Sequence, residues 1–305
     1  MPSLRERILN TLRFFDLQDI PLTLLELHKF LLDEKQQLQF KINTDWEIVN
    51  EKVGERVSVS QVLECLDTEC KNEVESRYGY YALKDRGEII QARWKNYLYG
   101  FKRERRIKRY AWMLKHIPFV RGVAIGGSQA LGQQRQGSDI DLLIFTEYGF
   151  MWLARTLVSI YFQLFGIRRH GEQVANRFCL NHYLAQPKSV DREKNAYKAM
   201  EYGRLRPLAY PQTVSVFLQQ NQQWIRSFFP NLDFSHMRSQ AQSTFQKLGE
   251  WFLNNAFGKW LEKMLKRMEL PRIVQDDYTF VLEDELSFHP GSRHTELLAK
   301  FFQNL

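Results

Sequence analysis

The sequence predicts an α+β protein with a small mixed β-sheet at its centre, a helical N-terminal module and a helical C-terminal region. Three observations lead there. Apolar residues recur at helical spacing near the N-terminus and again beyond Tyr197. Short apolar runs bounded by glycine or polar residues fall between positions 120 and 185. A chain of 305 residues, 44% apolar and 14% aromatic, has material for two or three domains, and this composition excludes a disordered or low-complexity protein. The divisions expected are 1–90, 91–200 and 201–305.

In the first of these, Leu4, Ile8, Leu12 and Phe15 mark one helix, and Pro21 opens a second that carries Leu22, Leu25, Phe30 and Leu31. Ser58 or Ser60 caps a third, holding Val62, Leu63 and Leu66. Residues 78–83 then read as a strand, with a turn at 84–87 and Ile89-Ile90 completing a hairpin. Three helices followed by a hairpin resemble a winged helix. Its third helix carries Glu64, Asp67, Glu69, Glu73 and Glu75 against Lys71 alone, which repels phosphate and points to a docking or substrate-orienting module instead of a DNA reader.

Charge divides the same way. The whole chain is +8, yet residues 1–90 sum to −5 and the remainder to +13. Ten cations between positions 93 and 121 face the single acid Glu104, a run suited to polyphosphate or nucleic acid or to a solvated helix face. This segment reads as one long helix over 91–117, leading into an apolar strand over 120–125. Residues 149–167 are mostly apolar, but Arg155, Ser159 and Gln163 repeat every four residues as one polar stripe, so a core helix is expected over a membrane role. A strand is expected over 178–185. Phe245, Leu248, Phe252, Phe257, Trp260, Leu261, Met264 and Leu265 form a helical stripe read as ordinary core packing. Cys65, Cys70 and Cys179 make no C-x-x-C pair, and residues 1–14 lack the apolar run of a signal peptide, so a cytoplasmic location is expected. His289 and His294 have no other ligands nearby and do not suggest a metal site.

The chemistry concentrates in residues 123–145, VAIGGSQALGQQRQGSDIDLLIF. A strand runs into Gly126-Gly127-Ser128, where glycine lets the backbone approach a ligand and free N–H groups, with the Ser128 hydroxyl, can cradle phosphate. Asp139 and Asp141 are separated by one strand residue and leave the same face. Paired carboxylates make a hard oxygen site of the kind Mg²⁺ takes, completed by phosphate oxygens. Neither a Walker lysine nor a G-x-G-x-x-G loop is present.

The spacing Gly127-Ser128, ten residues, Asp139-Ile140-Asp141-Leu142 resembles the signature of the DNA polymerase β-like nucleotidyltransferase superfamily. The chain as a whole is similar to bacterial predicted nucleotidyltransferases with a winged-helix-like segment before that domain. The resemblance implies a Mg²⁺-dependent enzyme that moves a nucleoside monophosphate from a nucleoside triphosphate to a hydroxyl of RNA, a protein or a small molecule, releasing pyrophosphate. Asp139 and Asp141 would be the catalytic and metal-binding acids, and Gly126, Gly127 and Ser128 the phosphate-binding turn. Active members add a third carboxylate from a later strand. Here that strand, RFCLNHYL, has none: Asn181 or His182 stands in its place, with Glu172, Asp191 and Glu201 as substitutes from outside it. The alternative is therefore a catalytically inactive nucleotide-binding or regulatory protein on the same scaffold.

Overall fold

A computed structural model describes residues 3–33, 53–130, 137–185, 194–235, 237–273, 279–288, 297 and 299–301. Asp191, His289 and His294 lie outside the described residues.

The N-terminal segment begins with α1 (Leu4–Asp16), whose start is fixed by a reciprocal cap between Ser3 and Glu6. The strand β1 (Leu22–Thr23) precedes α2 (Leu24–Lys29). Pro21 therefore does not open the helix. Thr23 caps it: its hydroxyl accepts from the Glu26 N–H at 3.3 Å while the Glu26 carboxylate accepts from the Thr23 N–H at 2.8 Å. Phe30 already terminates α2, so Leu31 lies beyond it. Ser58 caps α3 (Val59–Thr68). The hairpin pairs β2 (Val74–Arg77) with β3 (Tyr80–Leu83), around Tyr78 and Gly79 at φ of 55° and 76°. Two consecutive left-handed residues match strand twist in a tight turn, so the chain reverses here and not at 84–87. Ile89 and Ile90 instead begin α4 (Gly87–Leu114), buried. The first sheet has the order β1-β3-β2.

The second sheet is mixed and, among the described residues, has six strands. β4 (Val120–Ile125) is followed by the short α5 (Gly127–Ala130), β5 (Ile140–Thr146), α6 (Met151–Leu164) and β6 (Phe178–Ala185). Next come α7 (Ala196–Gly203), β7 (Arg206–Ala209), α8 (Pro211–Gln220) and α9 (Gln222–Phe228). The chain then forms α10 (Thr244–Leu253), α11 (Ala256–Glu269), a 3₁₀ turn over 270–272, β8 (Thr279–Val281) and β9 (Glu285–Phe288). The strand order is β7-β4-β5-β6-β9-β8, and β5 with β6 is the parallel pair. The region beyond residue 200 is mostly helical but also supplies β7, β8 and β9, three short strands without a distinct alternating pattern.

The sheet divides two cores. On one face Ala124, Leu143, Phe145 and Leu184 pack with α7–α9 and with Ile8, Leu12, Phe15 and Phe30 of the N-terminal segment. On the other, Val123, Ile125, Leu142 and Ile144 pack with Ile107 and Leu114 of α4 and with α6. The alternation of consecutive β5 residues between two apolar cores explains why that strand reads as an unbroken apolar run. α6 is a core helix as expected, and its polar stripe has a partner: Arg155 bonds Glu269 of α11 at 2.7 Å. Glu262 of α11 accepts from the Trp152 and Leu153 N–H groups at the start of α6. No helix among the described residues is long and apolar enough to cross a membrane.

The stripe from Phe245 to Leu265 departs from its expected role as core. Leu261 and Leu265 pack inward, but Phe245, Leu248, Phe252, Phe257 and Trp260 are exposed. α10 faces the core with polar anchors instead, since the Gln246 amide donates to the Val120 carbonyl and Glu250 accepts from the Phe119 N–H.

Candidate functional site

The site lies where β4 ends beside the start of β5. The Gly126 N–H donates to the Asp141 carbonyl at 3.0 Å, which holds the bend after β4 against the strand bearing the acids. Gly127 has φ of +58°. A Cβ there would lie 2.1 Å from Oδ2 of Asp141, so only glycine lets the chain turn this close to the carboxylate. Gly126 has no such crowding; its Cβ would meet only Leu205, at 3.8 Å. Ser128 follows in α5, with only its backbone described.

Asp139 and Asp141 converge as their spacing requires. Their carboxylates and the Cys179 thiol offer atoms all within 4.8 Å of one another. Cys179 is brought there by parallel pairing, standing opposite Asp141 in the β5–β6 register. The position facing the acids from the neighbouring strand is thus a thiol, two residues before Asn181. Burial, then the charges of Asp141 and Asp139, push this thiol up to about 12, so it is protonated at neutral pH and a poor substitute for a hard oxygen ligand. Burial also pushes Asp141 up to about 7, with the charges of Asp139 and Glu201 adding to it and Arg169 and Arg103 opposing. Two acids so close in a poorly solvated site call for a cation, which fits an oxygen-ligated divalent ion.

Two arginines meet this need partly. Arg169 Nη1 donates to Asp139 Oδ2 at 2.5 Å and to the Cys179 sulfur at 3.6 Å. Arg103 of α4 donates to the Ser138 hydroxyl at 2.7 Å, to the Ser138 carbonyl at 2.9 Å and to the Asp139 carbonyl, fixing the approach to β5. Arg103 belongs to the basic run; the rest of that run is not gathered at the acids.

A cleft of about 350 Å³ opens over the acids, lined by Gly126, Gly127, Asn181, His182, Glu201 and Arg204. Leu17, Gln18 and Ile20 of the N-terminal segment close one side. Arg204, just after α7, is buried, and its Nε has no hydrogen-bond partner. Burial lowers its pKa, while the charges of Glu201 and Asp141 hold it up. His182 is engaged with Glu285 of β9, Nε2 to Oε1 at 3.3 Å. Glu201 enters the cleft from α7 and pairs with Lys198 at 3.3 Å. Glu172 lines a separate surface cavity with His170 and Arg177, so it is not part of the cleft. Arg169 and Arg204 gave no signal in the sequence, because each reaches the acids through tertiary folding alone.

The strand-to-helix bend is thus packed against an acid pair on a mixed sheet, with a bare backbone turn beside two carboxylates. Residues 107–179 match the family model described as a nucleotidyltransferase domain. The match spans the end of α4, the glycine bend, both acids and Cys179. No curated protein and no solved structure matches the chain.

Proposed function

We propose that this protein transfers a nucleoside monophosphate from a nucleoside triphosphate to a hydroxyl acceptor, with the triphosphate in the cleft above Asp139 and Asp141. The observation that carries the reading is the contact between Gly127 and Asp141. A phosphate approaching the bare backbone of the bend is thereby within reach of the acids, so the two halves of the motif act as one site. The Asp139 and Asp141 carboxylates would hold Mg²⁺, which supplies neutralisation of the triphosphate and a lowered pKa for the attacking hydroxyl. Arg204, buried with an unsatisfied donor, is placed to accept phosphate charge; this removes the cost of leaving that donor unpaired. Arg103 keeps Asp139 at the head of β5.

In the reaction the acceptor oxygen bonds to the α-phosphorus and the bond from that phosphorus to the α,β-bridging oxygen breaks. Pyrophosphate leaves with the electron pair, and the hydroxyl proton passes to water. The N-terminal segment resembles a winged helix and contributes Leu17, Gln18 and Ile20 to the cleft wall, which supports a role in orienting substrate.

One observation favours a second reading. Cys179 occupies the strand position facing the acids, and Arg169 already neutralises Asp139, as suits a scaffold that binds nucleotide without turnover. Incubation with each α-labelled triphosphate, Mg²⁺ and separate pools of RNA, protein and small molecules distinguishes the two. Transfer that is lost in Asp139→Asn and Asp141→Asn supports the enzyme. Triphosphate binding that needs no metal, with no label transferred to any pool, supports the inactive scaffold.

A further inference from the structure

A second cavity lies across β6 from the cleft. Among the described residues β9 pairs with β6 from His182 to Leu184 and the segment 167–169 bonds Phe178, which leaves residues 179–181 of β6 between them. A cavity of about 430 Å³ occupies that gap, and Arg155, Arg168, Arg169 and Arg272 all line it. Among the described residues no carboxylate lines it. Arg155 is committed, bonded to Glu269 and stacked over Phe288 with its guanidinium carbon 4.8 Å from the ring centroid, and forms a fixed wall. Arg168 and Arg272 have no ion-pair partner among the described residues. Four guanidinium groups around a cavity of small-ligand size, two of them without an ion pair among the described residues, form a site for a phosphate or another compact anion.

Its position relative to the acids gives the anion a role. Arg169 lines this cavity while its Nη1 bonds Asp139 and Cys179, and Asn181 lines both cavities. The acids line the first cleft, and Arg169, bonded to Asp139, reaches from the second cavity to them. In-line displacement at the α-phosphorus requires the attacking oxygen to enter opposite the leaving pyrophosphate. With the triphosphate over the glycine bend, the other opening is where an acceptor enters.

We propose that this arginine-lined cavity is the acceptor site and that the acceptor carries a phosphate near its reacting hydroxyl. The inference rests on the nucleotidyl-transfer reading. It has a further consequence: an anion seated there competes with Asp139 for Arg169, so acceptor binding loosens the ion pair that occupies the acid.

Phosphorus NMR of the full-length protein tests this without requiring turnover. The first cleft is filled with a non-hydrolysable triphosphate and Mg²⁺, and the probe is inorganic phosphate. The wild type should broaden the phosphate resonance. Arg168→Glu/Arg272→Glu should abolish the broadening while leaving triphosphate affinity within about twofold, and Arg168→Gln/Arg272→Gln should weaken phosphate binding by roughly tenfold or more and guards against a folding defect. Ribose 5-phosphate and a short 5′-phosphorylated oligoribonucleotide, each compared with its dephosphorylated form, then separate a small metabolite from a nucleic-acid end. Absence of phosphate binding in the wild type, or binding unchanged in both double variants, overturns the proposal. Failure of label transfer with phosphate binding intact overturns nucleotidyl transfer instead, so the two failures are distinguishable.

Discussion

Arg169 and Asp139 form an ion pair of 2.5 Å at the position where a divalent cation would bind, thirty residues apart in sequence and joined only by the fold. The guanidinium occupies one oxygen of the Asp139 carboxylate and makes no bond to that of Asp141. A metal entering the site must therefore compete with Arg169.

Replacing Arg169 with glutamine should tighten Mg²⁺ binding in the absence of nucleotide by roughly three- to tenfold, because a competing charge in a partly buried site is removed. Titration calorimetry with Mg²⁺ measures it. Weaker binding in the variant would show that the arginine orients Asp139 for the metal and does not compete with it.

Gly127→Ala should cost about 1–2 kcal/mol in strain at φ of +58° and more from the approach to Asp141 Oδ2, and should weaken triphosphate binding severely. Gly126→Ala should be mild, since its new Cβ meets only Leu205 at ordinary contact distance. Urea unfolding and nucleotide titration of both variants provide the comparison. Equal effects would contradict the close contact between bend and acid.

The pH dependence of stability follows from Asp141. Burial first, then Asp139 and Glu201, raise its folded pKa from the ordinary carboxylate range to about 7, so the folded chain holds that proton more tightly than the unfolded one. Stability without metal should fall as pH rises between about 4 and 7 through this group. Asp141→Asn should flatten that slope, and Mg²⁺ should stabilise the wild type at pH 8 but not the variant. Thermal unfolding across pH, with and without Mg²⁺, reads all three.

How much of this was legible in the sequence depended on how local each feature is. The strands over 120–125 and 178–185 are set by nearby residues and read correctly, and of the two candidate caps Ser58 and Ser60 it is Ser58 that starts α3. The meeting of the glycine bend with Asp141 rests on the antiparallel pairing of β4 with β5. The hairpin turn at Tyr78-Gly79 was missed because its left-handed tyrosine is an unusual turn residue, whereas the KDRG segment carries the commoner signals. β7, β8 and β9 are three or four residues long and are stabilised by partners far away in sequence, so no periodicity marks them. The exposed aromatic face of α10 and α11 shows the same limit, since helical spacing reveals an apolar stripe but not whether another element covers it.

Cys179 stands opposite Asp141 because of the parallel β5–β6 register, a relation absent from linear spacing. As a protonated thiol it should contribute nothing to a hard cation, so Cys179→Ala should leave Mg²⁺ affinity within about twofold. Cys179→Asp should supply a third acid and tighten Mg²⁺ binding. Alkylation at pH 8 should be slow, and slower than for a free thiol of ordinary pKa. A large loss of Mg²⁺ affinity in the alanine variant would make the sulfur a ligand.

The most direct measurement is the electron paramagnetic resonance of Mn²⁺, standing in for Mg²⁺, titrated with protein and a non-hydrolysable triphosphate. Saturable Mn²⁺ uptake that depends on the triphosphate and is lost in both Asp139→Asn and Asp141→Asn is the predicted result. Uptake that persists unchanged in those two variants would contradict a metal-and-triphosphate site built on the glycine bend and its neighbouring acids.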